Sequence, residues 1–187
     1  MIQTWVQGEL DLLDFISTRF AHPVLDAVLP VLTSLCNHGE LWIAMALVLL
    51  CFARTRRMGA AVLLAMALGF LTGNLILKPL VARIRPYELR SVALLIPPLH
   101  DSSFPSGHTL ASFEASGVLM FMDKRFGVPA LIVACIIAFS RLYLYVHYPT
   151  DVAAGIVIGV CFAFVAVRLT ERAAASGIGT LLGKKVD

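Results

Sequence analysis

Polar segments that are able to handle an anion interrupt the apolar second half of the chain at three places. They run from Lys78 to Pro86, from Pro105 to His108 and from Ser140 to Asp151. Lysine and arginine bring fixed positive charge, histidine brings a nucleophile or an exchangeable proton, and aspartate orients a histidine ring. Phosphoryl transfer needs such a set: a nucleophile, a proton donor for the leaving oxygen, and positive charge around the equatorial oxygens.

Each segment has a simpler interpretation when it is taken alone. Two basic residues seven positions apart are common, a Pro-Ser-Gly-His run is able simply to start a helix, and His147 with Asp151 has the spacing of an ordinary helical pair. The three segments indicate chemistry only if the fold brings them to one face. Whether it does depends on the elements of secondary structure that carry them.

The composition places these elements in a bilayer. Of 187 residues, 59% are hydrophobic and 14% are charged, and the mean hydropathy of +0.85 is far above that of a soluble domain. The net charge of +3 is too small to indicate a nucleic-acid partner. A membrane-spanning helix needs about 20 predominantly apolar residues. The candidate runs are Leu41 to Ala53, Met58 to Leu77, Ala111 to Met122, Val128 to Phe139 and Val152 to Val167.

The N-terminal segment differs from these runs. At helical spacing, most of its apolar residues between Trp5 and Phe20 fall on one arc and its polar residues on the other, with Glu9 as the mismatch; this pattern is typical of an interfacial helix. Pro23 then opens a short span that ends near Cys36. The sequence therefore predicts an all-α integral membrane protein. We expect a six-helix bundle, with an N-terminal interfacial helix or short first spans and five to six transmembrane helices.

One domain is expected over residues 1–187, with the polar signature segments at 70–170 and a cytoplasmic tail at 171–187. Residues 82–105 form the one long loop, rich in proline and polar groups, before a helix that begins between Ser106 and Thr109. Long loops of this kind often carry function. In the predicted topology, all three polar segments reach the same end of the bundle.

Basic residues predict the orientation of that bundle. The positive-inside rule makes one end cytoplasmic, because it collects Arg54, Arg56, Arg57, Lys124, Arg125, Arg168, Arg172, Lys184 and Lys185. Against the usual bias, the opposite end holds Lys78, Arg83, Arg85, Arg90 and Arg141. Charges placed there call for a functional explanation. We expect a multi-pass protein of the plasma or inner membrane whose site faces the extracytoplasmic side.

The three segments resemble the signature of the type 2 phosphatidic acid phosphatase superfamily. That signature is Lys, six residues and Arg-Pro; then Pro-Ser-Gly-His; then Ser-Arg, five residues, His, three residues and Asp. All three parts are complete and in order, at Lys78 to Pro86, Pro105 to His108 and Ser140 to Asp151. The resemblance extends from the third predicted span through the sixth, and it implies a membrane phosphatase.

The resemblance also implies roles for the site residues. His147 attacks phosphorus and is phosphorylated, which divides one displacement into two. Asp151 accepts the other imidazole N–H and fixes the tautomer. His108 donates a proton to the leaving oxygen and later acts as a base on water.

Fixed cations and a helix start complete the expected site. Lys78, Arg85 and Arg141 clamp the phosphoryl oxygens, while Ser106 and Gly107 offer free backbone N–H groups at a helix N-terminus. With this positive field we expect neither a metal nor another cofactor. A zinc site of His108, His147 and Asp151 is the competing interpretation, but the surrounding cations would repel the ion.

The expected substrate is a lipid phosphate or pyrophosphate, with its tails in the bilayer. By analogy with small bacterial carrier-lipid phosphatases we favour undecaprenyl pyrophosphate, cleaved to undecaprenyl phosphate and phosphate. The alternatives are phosphatidic acid, phosphatidylglycerol phosphate or diacylglycerol pyrophosphate, and phosphotransfer to a hydroxyl in place of water. A non-catalytic scaffold or transporter would not need both histidines. The sequence leaves the oligomeric state open.

Several polar and small residues lie outside the signature. Glu114 is either a structural pair, a water-facing group or a tuner of His108, and Asn74 either orients Lys78 or bonds a neighbouring helix. Arg83 is expected to add at most positive field. We expect Gly155 and Gly159 to pack helices closely. The tyrosines are expected to form an interfacial belt: Tyr143, Tyr145 and Tyr148. The cysteines are expected to be buried: Cys36, Cys51, Cys135 and Cys161.

Overall fold

The computed structural model of the protein describes residues 2–176, with side chains from Thr4 onward, and within that range it contains helices and no strand. Lys184, Lys185, the Gln3 side chain and the predicted tail beyond residue 176 lie outside the described residues. The helices are α1 (Ile2–Arg19), α2 (Pro23–Ser34), α3 (Glu40–Cys51), α4 (Arg56–Gly69), a π-helix (Phe70–Leu77), α5 (Lys78–Val81), α6 (Pro86–Leu89), α7 (Gly107–Met122), α8 (Lys124–Tyr143) and α9 (Pro149–Ala175).

Membrane-length helices confirm the predicted class, an all-α integral membrane protein. The stretches Arg56–Leu89, Lys124–Tyr143 and Pro149–Ala175 are long and apolar enough to cross a bilayer. The α1 and α2 helices, bent by 119° relative to each other, would form a fourth span if they are taken together. The α3 helix is apolar but has only 12 residues. The count of six spans stays a prediction.

Helix α7 forms the centre of the bundle, with α4, α8 and α9 packed around it. Its middle is buried on every side, including polar groups such as Ser112 and Ser116; the Ser112 hydroxyl accepts a hydrogen bond from the Trp42 indole at 3.0 Å. Gly155 and Gly159 of α9 lie directly against the α7 backbone, since a Cβ at Gly159 would lie 2.8 Å from the Leu110 carbonyl oxygen. The close-packing interpretation of these glycines is confirmed.

The N-terminal helices cover the end of the bundle where the polar segments meet. Leu10, Leu13 and Ile16 of α1 are buried, whereas Trp5 and Phe15 are exposed, so the amphipathic pattern of α1 is real but its buried face is narrower than the predicted arc. The charged residues of α1 pair with arginines of the 82–105 loop, as described below.

The prediction of an aromatic belt is wrong. All three tyrosines are buried, because α1 and α2 lie over them. The Tyr143 hydroxyl donates to Asp26 at 2.5 Å, and the Tyr145 hydroxyl donates to Asp14 at 2.6 Å. The tyrosines therefore hold the N-terminal helices in place and do not anchor the protein in the interface.

One further expectation about the spans needs correction. Cys36 is buried as predicted, but Cys51, Cys135 and Cys161 are on the outer surface of the bundle, where small apolar side chains are also compatible with lipid.

The predicted third span, Met58 to Leu77, ends as expected before Lys78. Its last part is the π-helix Phe70–Leu77, a form that no pattern in the sequence indicates. π-helical turns are rare and concentrate near functional sites.

Candidate active site

A cavity of 670 Å³ lies where the polar segments converge. Its wall is formed by the C-terminal end of α2, the π-helix, the 82–105 loop and the start of α7. Its polar lining includes Asn37, Asn74, Lys78, Arg85, Asp101, His108, Glu114 and His147. The fold thus brings residues of all three predicted segments to one place.

His147 lies between α8 and α9 and is buried, with its two ring nitrogens in different surroundings. Nδ1 lies 3.6 Å from Asp151 Oδ2 and 3.4 Å from the Ser103 hydroxyl. Nε2 lies 3.4 Å from Arg85 Nη1 and on the cavity side, since both residues line the cavity. The ring is therefore held from behind at Nδ1, while Nε2 is directed at the cations.

Both oxygens of the Asp151 carboxylate accept hydrogen bonds. Oδ2 accepts from the Ser103 hydroxyl at 2.5 Å and from the Tyr148 backbone N–H at 2.9 Å. Oδ1 accepts from Arg83 Nη1 at 2.6 Å. Such a network fixes a carboxylate in one orientation. Sequence reasoning missed Ser103, which lies in the loop and has no signal of its own.

Arg83 contributes more than the positive field that its sequence position indicated. Besides Asp151, it donates to the Thr150 hydroxyl at 2.7 Å and forms an ion pair with Glu9 of α1. Its guanidinium lies over the Tyr148 ring, 3.8 Å from the centroid. Glu9, the mismatch in the amphipathic pattern, thus belongs to the shell around Asp151.

Lys78 and Arg85 share one acidic partner that the sequence analysis did not identify. Asp101 accepts from Arg85 Nη2 at 2.6 Å and forms an ion pair with Lys78. Arg85 also donates to two carbonyls, from Nε to Asp101 at 2.9 Å and from Nη1 to Val146 at 2.7 Å. These bonds fix the guanidinium at the loop.

Arg141 is buried, with 1% of its surface exposed. Its Nη1 donates to the Thr33 hydroxyl at 2.6 Å, whereas Nε and Nη2 have no partner in the part of the chain described. Buried charged donors without partners are costly. Those two groups are therefore suited to an incoming anion.

His108 and Asn74 line the same cavity from α7 and the π-helix. His108 Nε2 lies 3.3 Å from Asn37 Oδ1, a partner that the sequence did not indicate because the residues are far apart in the chain. Asn74 has no side-chain hydrogen bond within residues 2–176, so neither expected contact of this residue forms. Its Oδ1 lies beside Gly107, 3.7 Å from the position that a Cβ would take there.

The expectation of a free Ser106 backbone N–H is wrong. That N–H donates to the Asp151 carbonyl at 3.2 Å, and the Ser106 side chain bonds the Thr109 hydroxyl at 2.9 Å. The reason is the tight packing of α9 on the start of α7. Gly107 fits the expectation better, because it lines the cavity and a Cβ at this residue would lie 3.7 Å from Lys78 Nζ.

Glu114 lies deeper along α7 and is buried without a partner at Oε1. The expected structural ion pair is absent among the described residues. Glu114 is 1% exposed but lines the cavity, so a group that faces water in the cavity stays a prediction. Gly69 of α4 provides its space: a Cβ there would lie 1.7 Å from Glu114 Oε1.

Burial and neighbouring charges shift the pKa values of His147 and Asp101, which lie between helices. Burial lowers the pKa of the His147 imidazole to about 4; Asp151 opposes the shift, and Arg85 and Arg141 reinforce it. Burial alone would raise the pKa of the Asp101 carboxyl, but Lys78 and Arg85 outweigh it and lower that pKa to about 2. At neutral pH, His147 is therefore neutral and Asp101 is ionised.

A metal-binding arrangement is not found in residues 2–176, where no three His, Cys, Asp or Glu side chains are grouped to hold an ion. His22 instead caps α2, accepting from the Val24 N–H at 3.2 Å. His38 pairs with Glu40 at 2.8 Å on the surface.

Known proteins resemble this chain in sequence and in fold. The PAP2 superfamily model matches residues 58–175. An undecaprenyl-diphosphatase of Sulfolobus acidocaldarius is 32% identical over 143 residues, 75% of this chain and 69% of the relative. An undecaprenyl-diphosphatase of Bacillus subtilis is 33% identical over 87 residues, 46% of this chain and 45% of the relative. The crystal structure of Aquifex aeolicus LpxE superposes with a TM-score of 0.76 at 29% identity, covering 85% of this chain and 94% of that one.

Proposed function

Because this chain belongs to the PAP2 superfamily, we propose that it is a membrane lipid phosphatase that works through a phosphohistidine at His147. The observation that carries the proposal is the asymmetry of the His147 ring. Nδ1 is near Asp151 and Ser103, while Nε2 is 3.4 Å from Arg85 Nη1. A nucleophile needs such a fixed ring with its lone pair directed at the phosphoryl group.

In the first step, His147 Nε2 attacks phosphorus, and the bond from phosphorus to the leaving oxygen breaks. Nδ1 lies 3.4 Å from Ser103 Oγ and 3.6 Å from Asp151 Oδ2, and the negative charge of Asp151 stabilises the ring as it becomes positive. The depressed pKa of His147, about 4, keeps the free ring in its neutral, nucleophilic form at physiological pH.

His108 enters the first step as the imidazolium, which the negative charge of the bound phosphoryl group favours, and it donates the proton that the leaving oxygen requires. Its ring lines the same cavity as His147, and Asn37 Oδ1 at 3.3 Å from Nε2 orients it. In the second step, His108 removes a proton from water, whose oxygen attacks phosphorus and breaks the bond to His147. Phosphate leaves and His147 is regenerated.

Lys78, Arg85 and Arg141 stabilise the charge that spreads over the equatorial oxygens. The unpartnered donors of Arg141 are available for this role without breaking an existing bond. Gly107 supports it through the helix N-terminus, while Ser106 acts by holding α7 against α9 through its bond to the Asp151 carbonyl. This positive field makes the proposed mechanism metal-independent.

The proposed substrate is undecaprenyl pyrophosphate, hydrolysed to undecaprenyl phosphate and phosphate. The names of the relatives in Sulfolobus acidocaldarius and Bacillus subtilis support this choice. The bilayer supports it as well, because a polyprenyl tail remains in hydrocarbon while the head group reaches the cavity.

The proposed location is the plasma or inner membrane, with the cavity on the extracytoplasmic side. Support comes from basic residues at the end of the bundle away from the cavity, where α3, α7 and α9 end. Examples are Arg56, Lys124 and Arg172. We further propose that residues 1–187 form one domain with a cytoplasmic C-terminal tail. The contacts from Glu9 of α1 to Arg83 and Thr150 support a single unit.

The test is phosphate release by the detergent-purified protein in EDTA. Undecaprenyl pyrophosphate, phosphatidic acid and phosphatidylglycerol phosphate are supplied at matched surface concentration. We expect EDTA-resistant release, fastest from undecaprenyl pyrophosphate. Release that needs added metal would overturn the mechanism, and release from none of the lipids would overturn the proposed activity.

A further inference from the structure

The cations around the cavity are not equally free in the absence of substrate. Arg141 keeps two donors without partners, whereas Lys78 and Arg85 are both engaged by Asp101. Within residues 2–176, no other carboxylate forms an ion pair with either of these two cations. The mechanism proposed above gives Asp101 no part.

The Asp101 carboxylate contacts the two cations as two oxygens of a phosphoryl group would. Its Oδ1 accepts from Arg85 Nη2 at 2.6 Å, and its Oδ2 pairs with Lys78 Nζ. One anionic group therefore bridges the lysine and the arginine, each through a separate oxygen. This is the geometry expected for a bound phosphate with two of its oxygens on two cations.

Only the side chain of Asp101 is placed to leave. It is 49% exposed, whereas the Lys78 and Arg85 side chains are 14% and 2% exposed. The backbone at this point is anchored separately, since Arg85 Nε donates to the Asp101 carbonyl at 2.9 Å and the Ser102 hydroxyl donates to the Lys78 carbonyl at 2.7 Å. The carboxylate can turn into solvent while the loop and both cations keep their positions.

We propose that Asp101 is an internal competitor of the substrate: its carboxylate occupies the phosphoryl position on Lys78 and Arg85 in the empty enzyme, and a substrate binds by displacing it. The inference rests on the proposed function, because it requires that these cations bind the phosphoryl group. It adds a residue outside the signature and a cost that every ligand of the site must overcome.

Displacement favours ligands with a high charge density. A terminal phosphoryl group with two negative charges gains more from the two cations than the single charge of a carboxylate, whereas a phosphodiester has only one charge. The cost of displacing Asp101 is the same for every ligand, so this preference comes from the cations, and Asp101 sets the affinity that any ligand must exceed. When the product phosphate leaves, the returning carboxylate takes its place on the cations and opposes rebinding.

The proposal predicts two effects of opposite sign when the charge of Asp101 is removed. The folded protein loses stability, because Lys78 and Arg85 lose their partner. Phosphate binding becomes tighter, because no internal anion competes. A carboxylate that only holds the cations in position would produce a loss in both properties.

The experiment compares the binding of inorganic phosphate to the wild-type protein and to Asp101→Asn by calorimetry in detergent at pH 7.5. Asp123→Asn is the matched control, because it removes the same charge at the far end of α7 and keeps a residue that caps α8 well. We expect Asp101→Asn to bind phosphate about tenfold more tightly than the wild type, and the control to bind it with unchanged affinity. We also expect the product phosphate to inhibit hydrolysis more strongly in Asp101→Asn than in the wild type.

Equal or weaker phosphate binding by Asp101→Asn would overturn the inference and leave the proposed function intact. Absence of phosphate binding in every variant would overturn the anion site itself, and with it both proposals. Asp101→Ser, which is shorter and uncharged, tests the same sign if the asparagine variant does not yield folded protein.

Discussion

The two histidines of the cavity have contrasting surroundings. Around His147, the Asp151 carboxylate accepts hydrogen bonds from Ser103, Arg83 and a backbone N–H. Around His108, one hydrogen-bond contact of the ring is found within residues 2–176, to Asn37 at 3.3 Å. The unpartnered buried atoms of the described residues belong to Arg141 and Glu114.

This difference indicates which interactions the protein supplies and which it leaves to the ligand. The proposed nucleophile, His147, is held in place before substrate arrives, so the entropic cost of positioning it is met during folding. The proposed proton donor, His108, and the open guanidinium of Arg141 would complete their contacts when an anion is present. Substitutions on the two sides should therefore differ in whether they affect turnover, anion binding or stability.

The largest effect is expected at the nucleophile. His147→Gln keeps a polar side chain of similar length but removes the attacking nitrogen, so phosphate release should fall by about 10⁴-fold or more. Acid-labile phosphate on the protein, trapped by rapid quenching of the wild type with radiolabelled substrate, should be missing in the variant. His100→Gln, an exposed loop substitution, serves as control. Retained turnover in His147→Gln would exclude a phosphohistidine.

A smaller loss of turnover is expected at Arg83, which holds the Asp151 carboxylate. Arg83→Gln removes a 2.6 Å hydrogen bond to Asp151, and we expect kcat to fall by about 10- to 100-fold with phosphate affinity nearly unchanged. Arg90→Gln is the matched control, because Arg90 also pairs with α1, through Asp11 and Asp14, but does not contact Asp151. Equal losses in both variants would assign the effect to the docking of α1.

The buried carboxyl of Glu114, which has no partner at Oε1, predicts an effect on stability. Gly69→Ala places a methyl group where Glu114 Oε1 now lies, and overpacking of this kind costs about 1–3 kcal/mol. In the Glu114→Ala background the same substitution should cost little. Thermal unfolding of the four proteins in detergent measures the coupling. Identical costs in both backgrounds would mean that the carboxyl moves aside freely.

The smallest effect concerns pH. The pKa of His147 is lowered from 6.5 to about 4, so its ring should stay neutral from pH 8 down to about pH 5, as seen in a nitrogen-15 histidine spectrum compared with that of His147→Gln. Because the unfolded chain takes up this proton near pH 6.5 and the folded protein only near pH 4, stability should fall as the pH drops between these values. A midpoint near 6.5 would contradict the buried environment.

The sequence was sufficient for those parts of the site that lie on regular helices or in a contiguous pattern. His108 and His147 line one cavity, with Asp151 buried behind His147, because their segments start or end helices at the same end of the bundle. Ser103, Asp101 and Asn37 could not be predicted, since their partners depend on how the loop and α2 fold back over α7. No local propensity encodes such contacts.

The errors in the prediction have related causes. The tyrosines resembled an interfacial belt because their sequence position is near the membrane surface, but α1 and α2 bury them. The Ser106 N–H was expected to be free because helix starts usually have unpaired donors, yet the Asp151 carbonyl of a neighbouring helix satisfies it. In both cases a tertiary contact replaced solvent or lipid.

The π-helix Phe70–Leu77, which leads directly into Lys78, has an implication for protein engineering and for divergence among relatives. A π-helical turn has the hydrogen-bonding pattern of an α-helix with an inserted residue, and each residue advances an α-helix by about 100°. Because the turn absorbs the extra residue, deleting one residue between Phe70 and Leu77 should restore α-helical geometry and leave Lys78 facing the cavity. If the same stretch became α-helical without a deletion, Lys78 would turn by about 100°, so an alignment gap in this short stretch should be tolerated better than a substitution that abolishes the π-helical turn.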